Sequence, residues 1–372
     1  MFACSFLSLF KRTKMIVMAQ SKNFHSLSPV PEKFGKLIHA HRASQALFTA
    51  VDLGIFDTFS KSSTPLFAED ISKRVSSNLD ATTRLLDSLV SLELLEKTDQ
   101  NGSWQYNNSK IASDFLTSTS PESLVDFITV EREKVVPMFC NLTSAIREGK
   151  SQWIRTFGKT SEELWKGLYD NKEATIRFMG AMHSSSLQGC YAVAEAFDLS
   201  EFTSCCDLGG AVGAMAYALC HHNPQMKITV CEQPIVVKYA PHFKPSSEDC
   251  PNQGNVSFLT GDFIEDDLPK ADLYVISRTL HNWSDEKVDL ILSKVFDSLP
   301  SGGGLLVCEQ ILQDDKSGPE NALLQSLNML LLCEGRERSF TEYQQLLEKH
   351  GFVDFQAKQV SFYMDGILSR KA

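Results

Sequence analysis

Apolar residues recur three and four positions apart along the first part of the chain, which is the spacing of amphipathic helices. Between residues 66 and 106 the pattern is more specific. It predicts a helix over 67–75, a second helix over 81–92 that Asn78 caps, and a β-hairpin on either side of 99–102. This order of helix, turn, helix and hairpin is that of a winged helix.

Winged helices commonly bind DNA through their second helix. Here the second helix carries one arginine against two acidic residues and is otherwise largely apolar. The whole chain has a formal net charge of −10, whereas proteins that bind nucleic acid need a basic face. We therefore expect this helix to be buried against another subunit, and we expect no nucleic-acid partner.

Beyond about residue 199, short β-rich runs alternate with helical ones, and this alternation predicts a mostly parallel sheet with helices on its faces. A helix is predicted over 286–298. The predicted strands are 204–207, 227–231, 256–260, 273–277, 304–309 and 353–358, with a last one near 360–368. A chain of 372 residues is long enough for two domains, because single cores stop growing at roughly 250–300 residues.

The ten cysteines form no C-x-x-C pair, and no histidine or cysteine cluster has metal-ligand spacing. We interpret the cysteines as reduced thiols, which predicts a cytoplasmic protein without a metal. No apolar run reaches the roughly 20 residues of a membrane span, so we expect no membrane association. Residues 1–25 are predicted to be a disordered extension, and the alternative for their first part is a weak transit peptide.

A glycine turn follows the first predicted strand. Asp207 ends that strand, and Gly209, Gly210 and Gly213 come after it with the spacing G-G-x-x-G. The dinucleotide fingerprint is G-x-G-x-x-G, so this spacing disfavours a nicotinamide cofactor.

Carboxylates also follow the next two strands. Glu232 comes after the second strand, and Asp262 with the aromatic Phe263 comes after the third. Carboxylates at three strand ends suit a ligand with a ribose, an adenine and a positive charge, and they repel phosphates. S-adenosylmethionine is therefore the predicted cofactor, because it carries a sulfonium and no phosphate. For each carboxylate alone, the alternative is a helix cap or a turn.

One histidine, His281, follows the fourth predicted strand, within residues 278–283. Ligands of open α/β sheets bind beyond the carboxyl ends of the strands, so this histidine lies where we expect an active site. Arg278 is either a cofactor contact or a salt-bridge residue. Trp283 either lines a substrate pocket or packs against the start of the next helix.

Together these motifs resemble the small-molecule O-methyltransferases of the plant caffeate and isoflavone type, and above all their animal branch, the acetylserotonin O-methyltransferases and their relatives. The resemblance extends from about residue 31 to 371. The runs that carry it are DLGGAVG (207–213), CEQP (231–234), GDF (261–263), ADLYVISRTLHNWSDEK (271–287), PSGGGLLVCEQIL (300–312) and QSLNMLLLCEGRERSFTEYQQLLEKHGF (325–352).

The resemblance implies an α/β fold of the class I S-adenosylmethionine-dependent methyltransferases, with a Rossmann-like, mostly parallel seven-stranded sheet. It implies a winged-helix dimerisation domain over 26–125 that forms a homodimer, a helical linker with pocket helices over 126–198, and a catalytic domain over 199–372. The expected reaction is methyl transfer to the hydroxyl of a small aromatic molecule, first of all N-acetylserotonin, which gives melatonin.

Residue roles also follow from the resemblance. The family's histidine is a general base, a role that falls on His281, and the two glutamates that orient it match Glu309 and Glu337. A phenol with a pKa near 10 needs such a base at neutral pH, and a histidine with a pKa of about 6.5 suits the task. Asn328 matches a substrate-contacting asparagine, and Phe139 matches an aromatic position of the substrate pocket.

Several positions depart from the family pattern. Asn282 stands where the family usually has aspartate, which removes a negative charge near the sulfonium. Val130 takes a second aromatic position of the pocket, and Leu332 takes that of a glutamine. These changes leave two alternatives open: an acceptor that is another phenol or a polycyclic pigment precursor, or an impaired paralogue that binds the cofactor and acts as a scaffold.

Overall fold

The computed structural model describes residues 29–169 and 171–372. The described residues divide into two units, with the division between Gln45 and Ala46. The first helix is α1 (Glu32–Asp52). The extension predicted for residues 1–25 lies outside the described residues.

Helices predominate between residues 32 and 196, with three short strands among them, and beyond residue 196 helices alternate with the strands of a larger sheet. The helices after α1 are α2 (Ile55–Ser60), α3 (Ala68–Arg74), α4 (Leu79–Ser91), α5 (Lys110–Phe115), α6 (Val125–Val130), α7 (Val136–Phe139), α8 (Leu142–Glu148), α9 (Trp153–Phe157), α10 (Ser161–Tyr169), α11 (Lys172–Leu187), α12 (Cys190–Ala196), α13 (Ala214–His222), α14 (Pro234–Tyr239), α15 (Asp285–Ser298), α16 (Glu320–Leu332) and α17 (Phe340–Lys349). A π-helical turn, Glu131–Val135, joins α6 to α7. Among the described residues, no helix is both long and apolar enough to cross a membrane.

The predicted winged helix is confirmed. Helices α3 and α4 are followed by the hairpin of β2 (Leu95–Gln100) and β3 (Ser103–Asn108). The side chain of Asn78 caps α4 by accepting a hydrogen bond from the Ala81 amide at 3.0 Å. The short strand β1 (Leu66–Phe67), which the pattern did not predict, pairs with β3.

The predicted parallel sheet is also confirmed, and it has seven strands in the order β6-β5-β4-β7-β8-β10-β9. Strands β4 to β8 are parallel, whereas β10 runs antiparallel to both of its neighbours. The strands are β4 (Ser204–Leu208), β5 (Lys227–Glu232), β6 (Val256–Thr260), β7 (Leu273–Ser277), β8 (Gly304–Glu309), β9 (Phe352–Gln359) and β10 (Asp365–Lys371).

Helices cover both faces of the sheet. Along β7 and β8 the side chains alternate between the faces: Val275 and Leu306 pack with α12 and α13, whereas Ile276 and Val307 pack with α15 and α17. Burial on both faces is typical of parallel sheets and explains why these strands are almost continuously apolar. The carboxyl ends of the strands are thereby held rigidly.

The position predicted for the last strand, near 360–368, is wrong in part, because the strand begins only at Asp365. Ser361 folds the chain into a turn before it. Its hydroxyl accepts the amide hydrogens of Tyr363 and Met364 at 3.2 and 2.9 Å. Such local side-chain hydrogen bonds compete with strand pairing, and they interrupt an otherwise apolar stretch.

Leu306 lies in the middle of β8 with its side chain fully buried, so its truncation tests the sheet core. Leu306→Ala is expected to lower the free energy of unfolding by about 2–5 kcal/mol, because it removes apolar contacts and leaves a cavity. Leu290 on α15 is 44% exposed. Leu290→Ala is therefore expected to change this free energy by less than about 0.5 kcal/mol. Urea denaturation measures both values, and equal losses would contradict the packing described.

Candidate active site

The carboxyl ends of four parallel strands meet at one edge of the sheet. Strand β4 lies between β5 and β7. From β4 the chain continues to β5 and β6 on one side of it, and then crosses to β7 on the other side. Such a switch point opens a crevice for a ligand. Asp207, Glu232 and Glu309 stand at the ends of β4, β5 and β8, and the turn with His281 follows β7.

One carboxylate holds the turn that carries the histidine. The turn Leu280–Asn282 is a short 3-10 helix directly after β7. Glu309 Oε1 accepts the amide hydrogens of Thr279, Leu280 and His281 at N–O distances of 3.0, 2.9 and 3.4 Å. The glutamate at the end of β8 thus fixes where the backbone of His281 lies.

The imidazole ring of His281 contacts two carboxylates through the same nitrogen. Its Nδ1 lies 2.6 Å from Glu337 Oε1, in a hydrogen bond, and 3.2 Å from Glu309 Oε2, as a charge contact. All three residues are at most 5% exposed. An ionised carboxylate only accepts hydrogen bonds, so this contact suits a ring that carries its proton on Nδ1. In a neutral ring of that tautomer, Nε2 has a free lone pair.

Burial and charge act in opposite directions on the pKa of His281. Burial lowers this pKa, but Glu309 and Glu337 together outweigh burial, so the net pKa is above the ordinary histidine value. Burial raises the pKa of Glu309 to about 7; repulsion from Glu337 adds to this, and attraction to His281 opposes it.

The same three side chains also have the composition of a metal site, since their ligand atoms lie within 4.8 Å of one another. Two ligands of one tetrahedral zinc ion stand about 3.4 Å apart, given metal–ligand distances of about 2.1 Å. His281 Nδ1 and Glu337 Oε1 are only 2.6 Å apart. Their separation therefore fits a shared proton better than a shared metal.

The segment that carries Glu337 packs tightly against the histidine turn. A Cβ atom at Gly335 would overlap the backbone of His281 and Trp283, so this position requires glycine. On the other side of Glu337, Arg338 is 2% exposed and pairs with Asp285 at 2.6 Å. These two contacts hold the glutamate against the imidazole ring.

The predicted glycine turn brings bare backbone against a buried carboxylate. A Cβ at Gly210 would overlap the carboxylate of Asp207, and Gly209 and Gly213 have left-handed φ angles of 67° and 92°. Neither carboxylate oxygen of Asp207 has a hydrogen-bond partner within the described part of the chain. Burial, with a smaller contribution from Glu232, raises the pKa of Asp207 to about 7. Such a carboxylate suits a ligand that brings donors or a positive charge.

Three other predicted cofactor residues, Phe263, Glu232 and Asp262, lie in different surroundings. Phe263 lies at the glycine turn, because a Cβ at Gly209 would stand 3.2 Å from its ring. Burial raises the pKa of Glu232, although hydrogen bonds from nearby amides oppose this. Asp262 is exposed and accepts the Ile264 amide hydrogen at 2.9 Å, which agrees with the alternative of a turn residue.

Arg278 is half-buried beside the carboxylates and donates a hydrogen bond to the hydroxyl of Ser185 on α11. Burial lowers the pKa of Arg278, and the nearby charges of Glu309, Glu337 and Glu131 oppose this effect. Within the described ranges Arg278 makes no ion pair closer than 4.0 Å, so the geometry does not favour the salt-bridge alternative. Its contact with Ser185 engages one nitrogen of the guanidinium, Nη1.

The predicted substrate residues fall into two groups. Phe139 and Leu332 pack in one apolar cluster, between α7 and the end of α16. Asn328, also on α16, has a buried side-chain oxygen without a hydrogen-bond partner among the described residues. The ring of Trp283 packs against the core beside α15, with Lys287 Nζ 4.7 Å from its centre, which agrees with the packing alternative.

Sequence reasoning missed two residues near Arg278. Ser185 contacts it from 93 positions earlier in the chain, and no local pattern marks such a contact. Glu131 begins the π-helical turn; burial raises its pKa to about 7, while Arg278 opposes that shift. In the sequence, Glu131 opens the charged run Glu131–Lys134, and no pattern distinguishes it from its charged neighbours. The π-helical turn, a feature that often marks functional sites, is visible only in the structure.

Family models match most of the described chain. Residues 36–118 match an O-methyltransferase dimerisation domain, and residues 139–353 match an O-methyltransferase domain.

Individual relatives agree with these matches. The chain is 40% identical to a human protein named probable bifunctional dTTP/UTP pyrophosphatase/methyltransferase protein, over 93% of this chain but only 55% of that protein's length. It is 39% identical to human acetylserotonin O-methyltransferase over 88% of this chain and 94% of that protein. The crystal structure of human N-acetylserotonin methyltransferase in complex with SAM superimposes with a TM-score of 0.86 and 36% identity, over 93% of this chain and 99% of that one.

The sheet order, the winged-helix half and both domain matches agree with one another. The chain therefore belongs to the O-methyltransferase family, and it is an O-methyltransferase that carries the family's dimerisation domain.

Proposed function

We propose that the chain transfers the methyl group of S-adenosylmethionine to the hydroxyl of a small aromatic acceptor, with N-acetylserotonin as the substrate and His281 as the general base. The observation that carries the proposal is the buried hydrogen bond between His281 Nδ1 and Glu337 at 2.6 Å, which leaves Nε2 as a base. The glycine turn and Asp207 lie at the carboxyl end of the neighbouring strand β4.

The acidic crevice fits the methyl donor. Asp207 is buried without a hydrogen-bond partner beside the close approach at Gly210, and Glu232 stands at the next strand end, where it would accept from ribose hydroxyls. Phe263 at the glycine turn would cover the adenine, and Arg278 would meet the carboxylate of the methionine part. When bound, S-adenosylmethionine supplies a methyl group that its positive sulfur already activates.

His281 prepares the acceptor. Nε2 takes the proton from the phenolic hydroxyl as that oxygen takes the methyl group, so the ring becomes imidazolium. The carboxylates of Glu309 and Glu337 stabilise the imidazolium and hold the ring in the Nδ1–H tautomer. Because the pKa of His281 is raised above the ordinary histidine value, the neutral ring that acts as base is depleted as the pH falls through this raised pKa.

The choice of N-acetylserotonin is supported by the relatives named acetylserotonin O-methyltransferase. One observation favours a second acceptor, namely another phenol or a polycyclic pigment precursor. Leu332, expected to be a glutamine, lies in an apolar cluster with Phe139, which makes this side of the site less polar. We also propose that Asn328 contacts the acceptor with its unpartnered side-chain oxygen.

The winged-helix part supports a homodimer. It leaves large apolar side chains exposed in the single chain, among them Leu53, Phe67, Leu79, Leu92, Trp104 and Ile111. The nine described cysteines are free thiols, which supports the cytoplasmic location that we propose.

His281→Ala removes the proposed base. We expect kcat for N-acetylserotonin to fall by roughly 10²- to 10⁴-fold, since general-base catalysis contributes this much. A methyl-transfer assay with labelled S-adenosylmethionine measures it, beside a panel of other phenols. His350→Ala, which removes a histidine paired with Asp289 outside the site, is the control and should keep its activity. Undiminished turnover in His281→Ala would contradict the assignment, and a better rate on another phenol would favour the second acceptor.

Glu337→Gln removes a negative charge from the histidine. The charge of Glu337 raises the pKa of His281, so the variant should lower that pKa and move the acid limb of the kcat–pH profile to lower pH. We expect kcat on the plateau to fall as well, because the imidazolium is less stabilised. Glu334→Gln breaks an exposed pair with Lys287 and should leave the limb in place. A limb that moves upward in Glu337→Gln would contradict the network.

Gly210→Ala tests the cofactor crevice, because a Cβ there would overlap the Asp207 carboxylate. We expect the Kd for S-adenosylmethionine to rise by roughly 10- to 100-fold, which matches the cost of about 1–3 kcal/mol for overpacking. Gly254→Ala is the control, since a Cβ at Gly254 meets nothing within 4 Å. Calorimetric titration measures both variants, and equal affinities would argue against binding at this turn.

A further inference from the structure

Asn282 is the residue directly after the histidine. Both the nitrogen and the oxygen of its side-chain amide form hydrogen bonds within the protein. Its Nδ2 donates a hydrogen bond to the carbonyl oxygen of Arg278 at 3.1 Å. Its Oδ1 lies 3.3 Å from Cys333 Sγ, whose thiol donates to it. The backbone oxygen of Asn282 also accepts the amide hydrogen of Glu334 at 3.2 Å. Asn282 therefore links the histidine turn to the segment after α16.

The carbonyl that Asn282 holds belongs to a strained residue. Arg278 has a left-handed backbone with φ of 50°, which is unfavourable for residues other than glycine. Its amide donates to the Cys308 carbonyl at 2.8 Å, so β8 fixes one side of the residue. The hydrogen bond from Asn282 fixes the other side. Together they maintain the bend that sends the chain from β7 toward His281.

The two neighbours of this side chain require a donor on one side and an acceptor on the other, and an amide supplies both. An aspartate in the same position would set a carboxylate oxygen against the Arg278 carbonyl, and two acceptors repel each other. On the other side, burial raises the pKa of Cys333 to about 12, so its thiol stays protonated and able to donate. The asparagine is thus complementary to its surroundings, although the family pattern has aspartate here.

We propose that Asn282 is a positioning residue for methyl transfer, whose amide bridges the Arg278 carbonyl and the Cys333 thiol and so holds the bend that aims Arg278 and His281. The inference rests on the proposed role of His281 as the base. The alternative is that Asn282 stands where the family has a catalytic carboxylate that this chain has lost. The alternative predicts that Asn282→Asp raises kcat, whereas a positioning role predicts that it lowers kcat.

The test compares Asn282→Asp with Asn223→Asp in the full-length enzyme. Asn223 makes the same kind of bond, from Nδ2 to the carbonyl four residues earlier at 3.1 Å, but at the end of α13 away from the glycine turn. We expect Asn282→Asp to lower kcat by roughly tenfold, as for a hydrogen bond replaced by an unpaired acceptor, with little change in the KM of the phenol. Asn223→Asp should alter stability alone.

The pH profile separates positioning from general damage. Glu309 and Glu337 raise the pKa of His281, and Arg278 lowers it. A carboxylate at position 282 would add a further negative charge that raises this pKa. The acid limb of kcat should therefore move to higher pH in Asn282→Asp and stay in place in Asn223→Asp. A kcat that rises or stays unchanged in Asn282→Asp would overturn the proposal, as would an unmoved acid limb.

A second pair of variants keeps the proposal testable if Asn282→Asp does not fold. Cys333→Ala removes the donor to Asn282, whereas Cys333→Ser keeps one, so kcat should be lower in Cys333→Ala than in Cys333→Ser. Equal kcat values would overturn the proposal. This test can be told apart from the test of the base. An active His281→Ala variant would contradict the proposed base itself. An inactive His281→Ala variant beside a fully active Asn282→Asp variant would contradict only the positioning role of Asn282.

Discussion

The active site depends on the contact between one imidazole nitrogen and two buried carboxylates. Glu337 forms a hydrogen bond with Nδ1 of His281. Glu309 lies near the same nitrogen and holds the turn by accepting three amide hydrogens. Two buried carboxylates close together are unfavourable on their own: burial raises the pKa of Glu309, and the charge of Glu337 adds to this effect. The histidine offsets the negative charge of the two carboxylates, and they in turn hold its ring in the orientation that the proposed base requires.

The fold explains how such a group is assembled from distant segments. The parallel strands β7 and β8 bring the histidine turn and Glu309 together by register, since Ser277 pairs with Cys308. Glu337 comes from a segment after α16, held by the close contact at Gly335 and by the pair of the buried Arg338 with Asp285. Each carboxylate thus has its own structural support, and neither position relies on the other.

Sequence alone predicted the parallel sheet, because buried strands are apolar runs that end in polar or glycine turns, and it predicted which residues follow those strands. It did not reveal the partners of Arg278, since Ser185 and Glu131 lie on helices whose pattern carries no sign of that contact. It placed the last strand too early, because Ser361 makes a turn within an apolar stretch. The meaning of Asn282 also required the structure, where its amide has two partners.

The most direct test of this account is the protonation of the His281 ring, measured by nitrogen-15 NMR on histidine-labelled enzyme, with His281→Ala used to assign the signal. Above the pKa of His281, the account predicts that the proton stays on Nδ1, hydrogen-bonded to Glu337, and that Nε2 carries none. A neutral ring with its proton on Nε2 would leave no base facing the acceptor and would contradict the mechanism.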